Sequence, residues 1–163
     1  MAAVIRGVEF IHSFDNEASY GHAGIITSAS GATLEALWTV ERAHLNYYKG
    51  QRMQIARPTH TLDGREISVE AKQVAIDALV RDHIGQPYPV LRLPLFLFPA
   101  LAKFVGTGNH VVCSELRCKY LAMIGARPLP YMGVNPDTCA DEARLWRNFD
   151  VVYERIFQGV EVQ

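Results

Sequence analysis

Gly21-His22-Ala23-Gly24-Ile25-Ile26-Thr27-Ser28-Ala29-Ser30-Gly31-Ala32-Thr33-Leu34-Glu35-Ala36-Leu37-Trp38 reads as two strands joined by a turn. Alternation puts His22, Gly24 and Ile26 on one face of the first strand, with Ala23, Ile25 and Thr27 on the other. Ser28 to Gly31 has the composition of a hairpin turn. Beyond it Thr33, Glu35 and Leu37 alternate with Leu34, Ala36 and Trp38. This pairing sets Glu35 on a strand beside His22, and a carboxylate among Leu34, Ala36, Leu37 and Trp38 needs a partner if it is buried.

Working outward, Val4 to Phe14 reads as an earlier strand, and Met53 to Arg57 as a third member of a compact antiparallel meander that stops at Pro58. From Ser68, an N-cap, the spacing turns helical: Ala71, Val74, Ala75, Ala78 and Leu79 share a face and Gly85 lies past the end. Residues 91–104 are the most apolar stretch of the chain. Pro94, Pro99 and flanking charges break it, so it reads as a wall, lid or surface anchor and not as a transmembrane segment. Val112 to Ile124 is helical in the spacing of Val112, Leu116, Tyr120 and Met123, and ends at Gly125. Another helix runs from Asn135-Pro136-Asp137 to Trp146, and Phe149 to Ile156 alternates as a last strand. The class is α+β, an antiparallel meander packed against helices.

Chain length and composition fit this. Of 163 residues 49% are apolar and 20% charged, enough to close one core, so residues 1–163 are expected to form a single domain. The net charge of −1 comes from interspersed residues of both signs, which excludes the basic stripe that nucleic-acid binding needs. The first residues lack a basic segment leading into a long apolar run, so no secretory signal is read and the expected location is cytoplasmic. No repeat or low-complexity tract divides the chain.

The chemistry centres on a thiol. Cys113, Cys118 and Cys139 are an odd number and lack zinc-ligand spacing, so neither a disulfide framework nor a structural metal is expected. Cys113 alone falls in the first turn of a helix, where free N–H groups and the macrodipole favour a thiolate and an N–H can face a developing oxyanion. Position alone does not decide the matter, because a buried cysteine is more often a small hydrophobe. That is the reading for Cys118 and Cys139. A base is required, and His22 sits between the small residues Gly21, Ala23 and Gly24, which leave room around its ring. An isolated strand histidine is commonly a satisfied or surface imidazole, so the argument rests on the set. Glu35 completes it as the group that would orient the imidazole. His110 is an alternative base, whereas His12, His44, His60 and His83 have no such pairing. Ser114 and Glu115 are expected to brace the helix start. Tyr20, Tyr48 and Arg117 are candidates for substrate binding, against the commoner readings of aromatic packing and a solvated charge.

Gly21-His22-Ala23-Gly24-Ile25, Leu34-Glu35-Ala36 and Val112-Cys113-Ser114-Glu115-Leu116, in that order, resemble three motifs of the permuted NlpC/P60 cysteine peptidases, specifically the YiiX/YaeF-like branch. Tyr47-Tyr48-Lys49-Gly50, Gly85-Gln86-Pro87-Tyr88 and Pro136-Asp137 add to the likeness. The chain departs from the family at Ala23, usually valine, at Arg117, usually apolar, and in an N-terminal segment without a clear Gly-Asp strand motif. It does not match the Asn-Cys-Glu-His-Phe sequence of the related lecithin retinol acyltransferase-like branch. The resemblance implies a circularly permuted papain-like fold with the nucleophile at a helix N-terminus. It further implies Cys113, His22 and Glu35 as the catalytic residues, no cofactor, and an amidase or peptidase acting on peptidoglycan-type peptides. The amidase or peptidase is the leading expectation; the apolar 91–104 segment would suit the alternative, a lipid or fatty-acyl esterase or acyltransferase, and a non-catalytic binding protein on the same shell is the third expectation. With no signal read, the expectation is a cytoplasmic role on imported peptides, export by an unrecognised route, or phage-associated delivery.

Overall fold

The computed structural model describes residues 20–87, 111–128 and 134–160. The strand read over Val4 to Phe14, the apolar segment 91–104, and His12, Tyr88 and His110 lie outside the described residues. Among the described residues two small antiparallel sheets and three α-helices make a mixed α+β structure. Strands β1 (Gly24–Ile26), β2 (Ala32–Ala36) and β3 (Val40–His44) form one sheet in that order. A 3₁₀ turn, Leu45–Tyr48, leads to β4 (Arg52–Pro58), which pairs with β5 (Phe149–Ile156) in a second sheet. Helices α1 (Val69–His83), α2 (Cys113–Met123) and α3 (Pro136–Leu145) lie between β4 and β5 in the chain.

Local chemistry explains the first hairpin. Gly31 takes φ of 92°, in the left-handed region that favours glycine. Ser28 closes the turn by accepting from the Ala32 N–H at 3.1 Å. The resulting register puts Gly24 opposite Glu35 and Ile25 opposite Leu34. Across the next ladder Glu35 faces Glu41 and Ala36 faces Val40. β3 differs from the sequence reading, which has no strand there. Val-Glu-Arg-Ala-His carries little strand propensity and buries only Val40, so its pairing comes from the turn at Leu37 to Thr39 and not from its own pattern. The meander expected to end in β4 therefore ends in β3. β4 instead joins β5, with Val152 bulged between the Tyr153–Ile55 and Val151–Ala56 pairs.

Ser68 caps α1 by accepting from the Ala71 N–H at 3.1 Å. The buried face of α1 is Ala75, Ile76, Leu79 and His83, rotated from the expected one: Val74 is exposed and Ala71 points outward. Residues after α1 close against the sheet through Gly85 N–H to Val40 O at 2.7 Å and Val40 N–H to Gln86 O at 2.9 Å. Helix α2 is the central element. Val112, Cys113, Leu116, Tyr120 and Leu121 pack with Ile25, Leu34, Ala36 and Val40 of the sheet and with Ala75, Ile76 and Leu79 of α1. Asn135 caps α3, accepting from the Thr138 N–H at 2.7 Å, with Pro136 at the first helical position. Arg117 and Arg127 converge on Glu142 of α3, at 3.1 and 2.8 Å, and tie α2 to it. Among the described residues no helix is long and apolar enough to cross a membrane.

Leu116 has no exposed surface and belongs to this core. Leu116→Ala is expected to lower the unfolding free energy by about 2–5 kcal/mol. Urea denaturation would register this as a fall in midpoint at unchanged slope.

Candidate active site

Four elements converge on one carboxylate. Glu35 on β2 is 1% exposed, and its ladder partner on β1 is Gly24. A Cβ at Gly24 would stand 3.0 Å from Glu35 Cγ and 3.4 Å from Cδ, so glycine there is what lets the carboxylate lie across the strand. The sequence reading gave Gly24 the task of clearing space for His22. The structure gives that space to Glu35.

His22 Nε2 lies 2.8 Å from Glu35 Oε2. This engages one ring nitrogen, and Cys113 lies close enough to the ring to act on its protonation. Burial by itself would lower the imidazole pKa. The hydrogen bonds to Cys113 and then Glu35, with the charges of both, overcome it and push His22 up to about 10. Glu35 goes the other way: burial would raise it, but hydrogen bonds from His22, Thr33 and Tyr48 hold it below the usual carboxylate range. The Thr33 hydroxyl donates to Oε1 at 2.5 Å, and the Tyr48 hydroxyl donates to Oε2. Burial and that bond push the Tyr48 hydroxyl up, so it stays a donor. Its ring stacks on His22, centroids 6.0 Å apart and planes at 22°.

Cys113 is the first residue of α2, 4% exposed. First-turn N–H groups have no acceptor within a helix, so this end presents partial positive charge beside the sulfur. Ser114 and Glu115 brace the end from within, Ser114 by donating to Val134 O at 2.5 Å and Glu115 by accepting from the Val112 N–H at 3.3 Å. The array can hold a thiolate against an imidazolium, with the imidazolium backed by a fixed carboxylate. No group of three His, Cys, Asp or Glu side chains among the described residues is arranged to hold a metal ion.

Of the three candidate binding residues, the structure brings only Tyr48 to this set, and there its hydroxyl is spent on Glu35. Tyr20 turns away: its hydroxyl donates to Glu154 at 3.1 Å, and Arg52 and Arg144 lie over its ring at 5.7 and 5.9 Å. Arg117 is also turned inward, one nitrogen on Glu142 and another donating to Cys139 O at 3.1 Å, with its guanidinium 5.7 Å from the Phe149 ring centroid. Neither is open to a thiolate or an acidic substrate. Cys118 and Cys139 face one another in a small buried cluster with Val134, and all three thiols are free. Sequence reasoning missed Thr33. Its place on the Glu35 face of β2 was the available signal, but a strand threonine carries none of chemistry by itself.

Comparison with family models, with curated protein sequences and with solved structures returns no match.

The raised His22 pKa has a defined sign. Protonation favours the folded protein, so its stabilising effect is complete below the unfolded value of about 6.5 and is lost as pH rises through about 10. A ¹H–¹⁵N NMR titration is expected to find the His22 ring still protonated at about pH 8, and Glu35→Gln or Cys113→Ala to bring its midpoint down. Gly24→Val should act in the same direction as Glu35→Gln by crowding the carboxylate, and more strongly than Gly24→Ala.

Proposed function

We propose that the protein is a cysteine hydrolase that cleaves an amide bond through Cys113, His22 and Glu35. The observation that carries this reading is the convergence of a thiol at a helix start, an imidazole beside it, and a buried carboxylate 2.8 Å from that ring's Nε2. The sequence motifs around these residues resemble the permuted NlpC/P60 peptidases of the YiiX/YaeF-like branch. That likeness favours a circularly permuted papain-like arrangement and a peptidoglycan-type peptide or related small amide as substrate.

In this mechanism the Cys113 thiolate attacks the carbonyl carbon, forming a C–S bond as the carbonyl electrons move to oxygen. First-turn N–H groups of α2 face that developing charge. Collapse of the tetrahedral species breaks the C–N bond, and the imidazolium gives its Nδ1 proton to the departing amine. The neutral ring then takes a proton from water, which attacks the thioester. The products are a carboxylic acid and the restored thiolate–imidazolium pair. Glu35 keeps the ring in orientation throughout and stabilises its charged form.

Two measurements test the reading. Iodoacetamide labelling of Cys113, followed by peptide mapping, should run well below the ordinary thiol pKa of about 8.5, and His22→Ala should slow it. Labelling no faster than that of an ordinary cysteine would leave a non-catalytic binding protein as the better description. Muropeptides and short-chain acyl esters offered side by side should reveal amide cleavage, reduced by roughly 10³-fold or more in Cys113→Ala. Turnover of esters alone would replace the amidase by a lipid or acyl esterase.

A further inference from the structure

The buried carboxylate has more donors than an orienting role for His22 alone requires. Its Oε2 accepts from both His22 and Tyr48, and its Oε1 accepts from Thr33, a residue 2% exposed on the same strand face. At 1% exposure Glu35 has little water to replace a lost donor. Take away the Thr33 hydroxyl and Oε1 becomes a buried acceptor without a partner. A carboxyl in that position either rotates to find another donor or takes up a proton, and each response removes negative charge from His22 Nε2. Tyr48 acts on the second oxygen. Its hydroxyl shares Oε2 with His22 while its ring lies stacked along the imidazole, so it fixes the carboxylate and the ring together.

We propose that Thr33 and Tyr48 are positioning residues that hold the Glu35 carboxylate turned onto His22, and so set the lower pH limit of alkylation at Cys113. This rests on the hydrolase reading and adds to it two residues that act through Glu35. The charged and titratable groups facing Glu35 are His22 ahead of β1, Tyr48 from the 3₁₀ turn, Cys113 from the start of α2, and Glu41, its ladder partner on β3. Glu41 is exposed and accepts from the Thr39 hydroxyl at 3.2 Å. Its like charge opposes ionisation of Glu35, in the opposite sense to the three donors. The donors are thus the groups whose removal moves the balance toward the protonated carboxyl.

The sign follows. With a donor gone, Glu35 protonates at higher pH, His22 loses its acceptor there, and the thiolate loses its counter-charge. The test is the pH profile of iodoacetamide labelling at Cys113, read by peptide mapping so that Cys118 and Cys139 do not contribute. Thr33→Val and Tyr48→Phe are each expected to move the acid limb of that profile up by about one pH unit. Thr33→Ser should return it to the wild-type position. In a Glu35→Gln background, which has no carboxyl to protonate, Thr33→Val should add no further shift. If Thr33→Val fails to fold, Tyr48→Phe carries the test, because that residue is half-buried and the substitution keeps its ring. Limbs that superimpose on wild type, with only a uniform loss of labelled fraction at every pH, would overturn this inference and leave the hydrolase reading standing. A wild-type limb already at the position of an ordinary thiol would overturn the hydrolase reading itself, and this inference with it.

Discussion

A negative charge with almost no contact with water sits at the middle of this structure, and its neighbours are arranged to make that tolerable. Moving a carboxylate out of water costs about several kcal/mol even after relaxation. Glu35 offsets this with three hydrogen bonds, from His22, Thr33 and Tyr48, each of a kind that contributes about 1.5–3 kcal/mol when one partner is charged. The donors come from three different places in the chain. His22 precedes β1, Thr33 is on β2 and Tyr48 ends the 3₁₀ turn after β3, so satisfying Glu35 also fixes how those segments sit on one another. Gly24 takes part by what it lacks, since a side chain there would meet the carboxylate at 3.0 Å.

Helix α2 depends on the same arrangement from the other side. Its first residue meets the imidazole that Glu35 holds, and its next turns bury Leu116, Tyr120 and Leu121 against the sheet and α1. The apolar contacts fix where the helix lies. The polar contacts of Ser114 and Glu115 hold its first turn. A thiol in that position is therefore a product of core packing as much as of chemistry, because any sliding of α2 would carry the sulfur off the ring. The ionic contacts of Arg117 and Arg127 with Glu142 oppose such sliding from the α3 side. Arg117, read from sequence as a group for the thiolate or substrate, is instead one of these anchors.

Much of the site was readable from the chain because each member has a local reason to be where it is. Alternation put Glu35 on a strand paired with the one that follows His22, although β1 begins at Gly24 and His22 precedes it, and helical spacing with Gly125 at its end put Cys113 in a first turn. The cap Ser68, the helix start near Asn135-Pro136-Asp137 and the strand Phe149–Ile156 were legible for the same reason. Where the chain was silent, the missing information was non-local. β3 has a composition that favours no strand and acquires its pairing from the turn before it. The apolar face of α1 was drawn through Val74 because several spacings fit a helix rich in alanine, and only contact with α2 decides between them.

Sequence alone determined the α+β class, the hairpin that carries Glu35 and follows His22, and the helix that begins at Cys113, since turn chemistry, capping and periodicity act within a few residues. Only the tertiary structure decided that β4 pairs with β5, that Tyr20 and Arg117 turn inward, and that Thr33 and Tyr48 complete the shell around Glu35. The reason is physical. A strand edge, a guanidinium or a hydroxyl has many partners of equal chemistry along a chain. Which one it takes is settled by what burial brings within about 3 Å and by the cost of leaving a buried charge or polar atom unpaired.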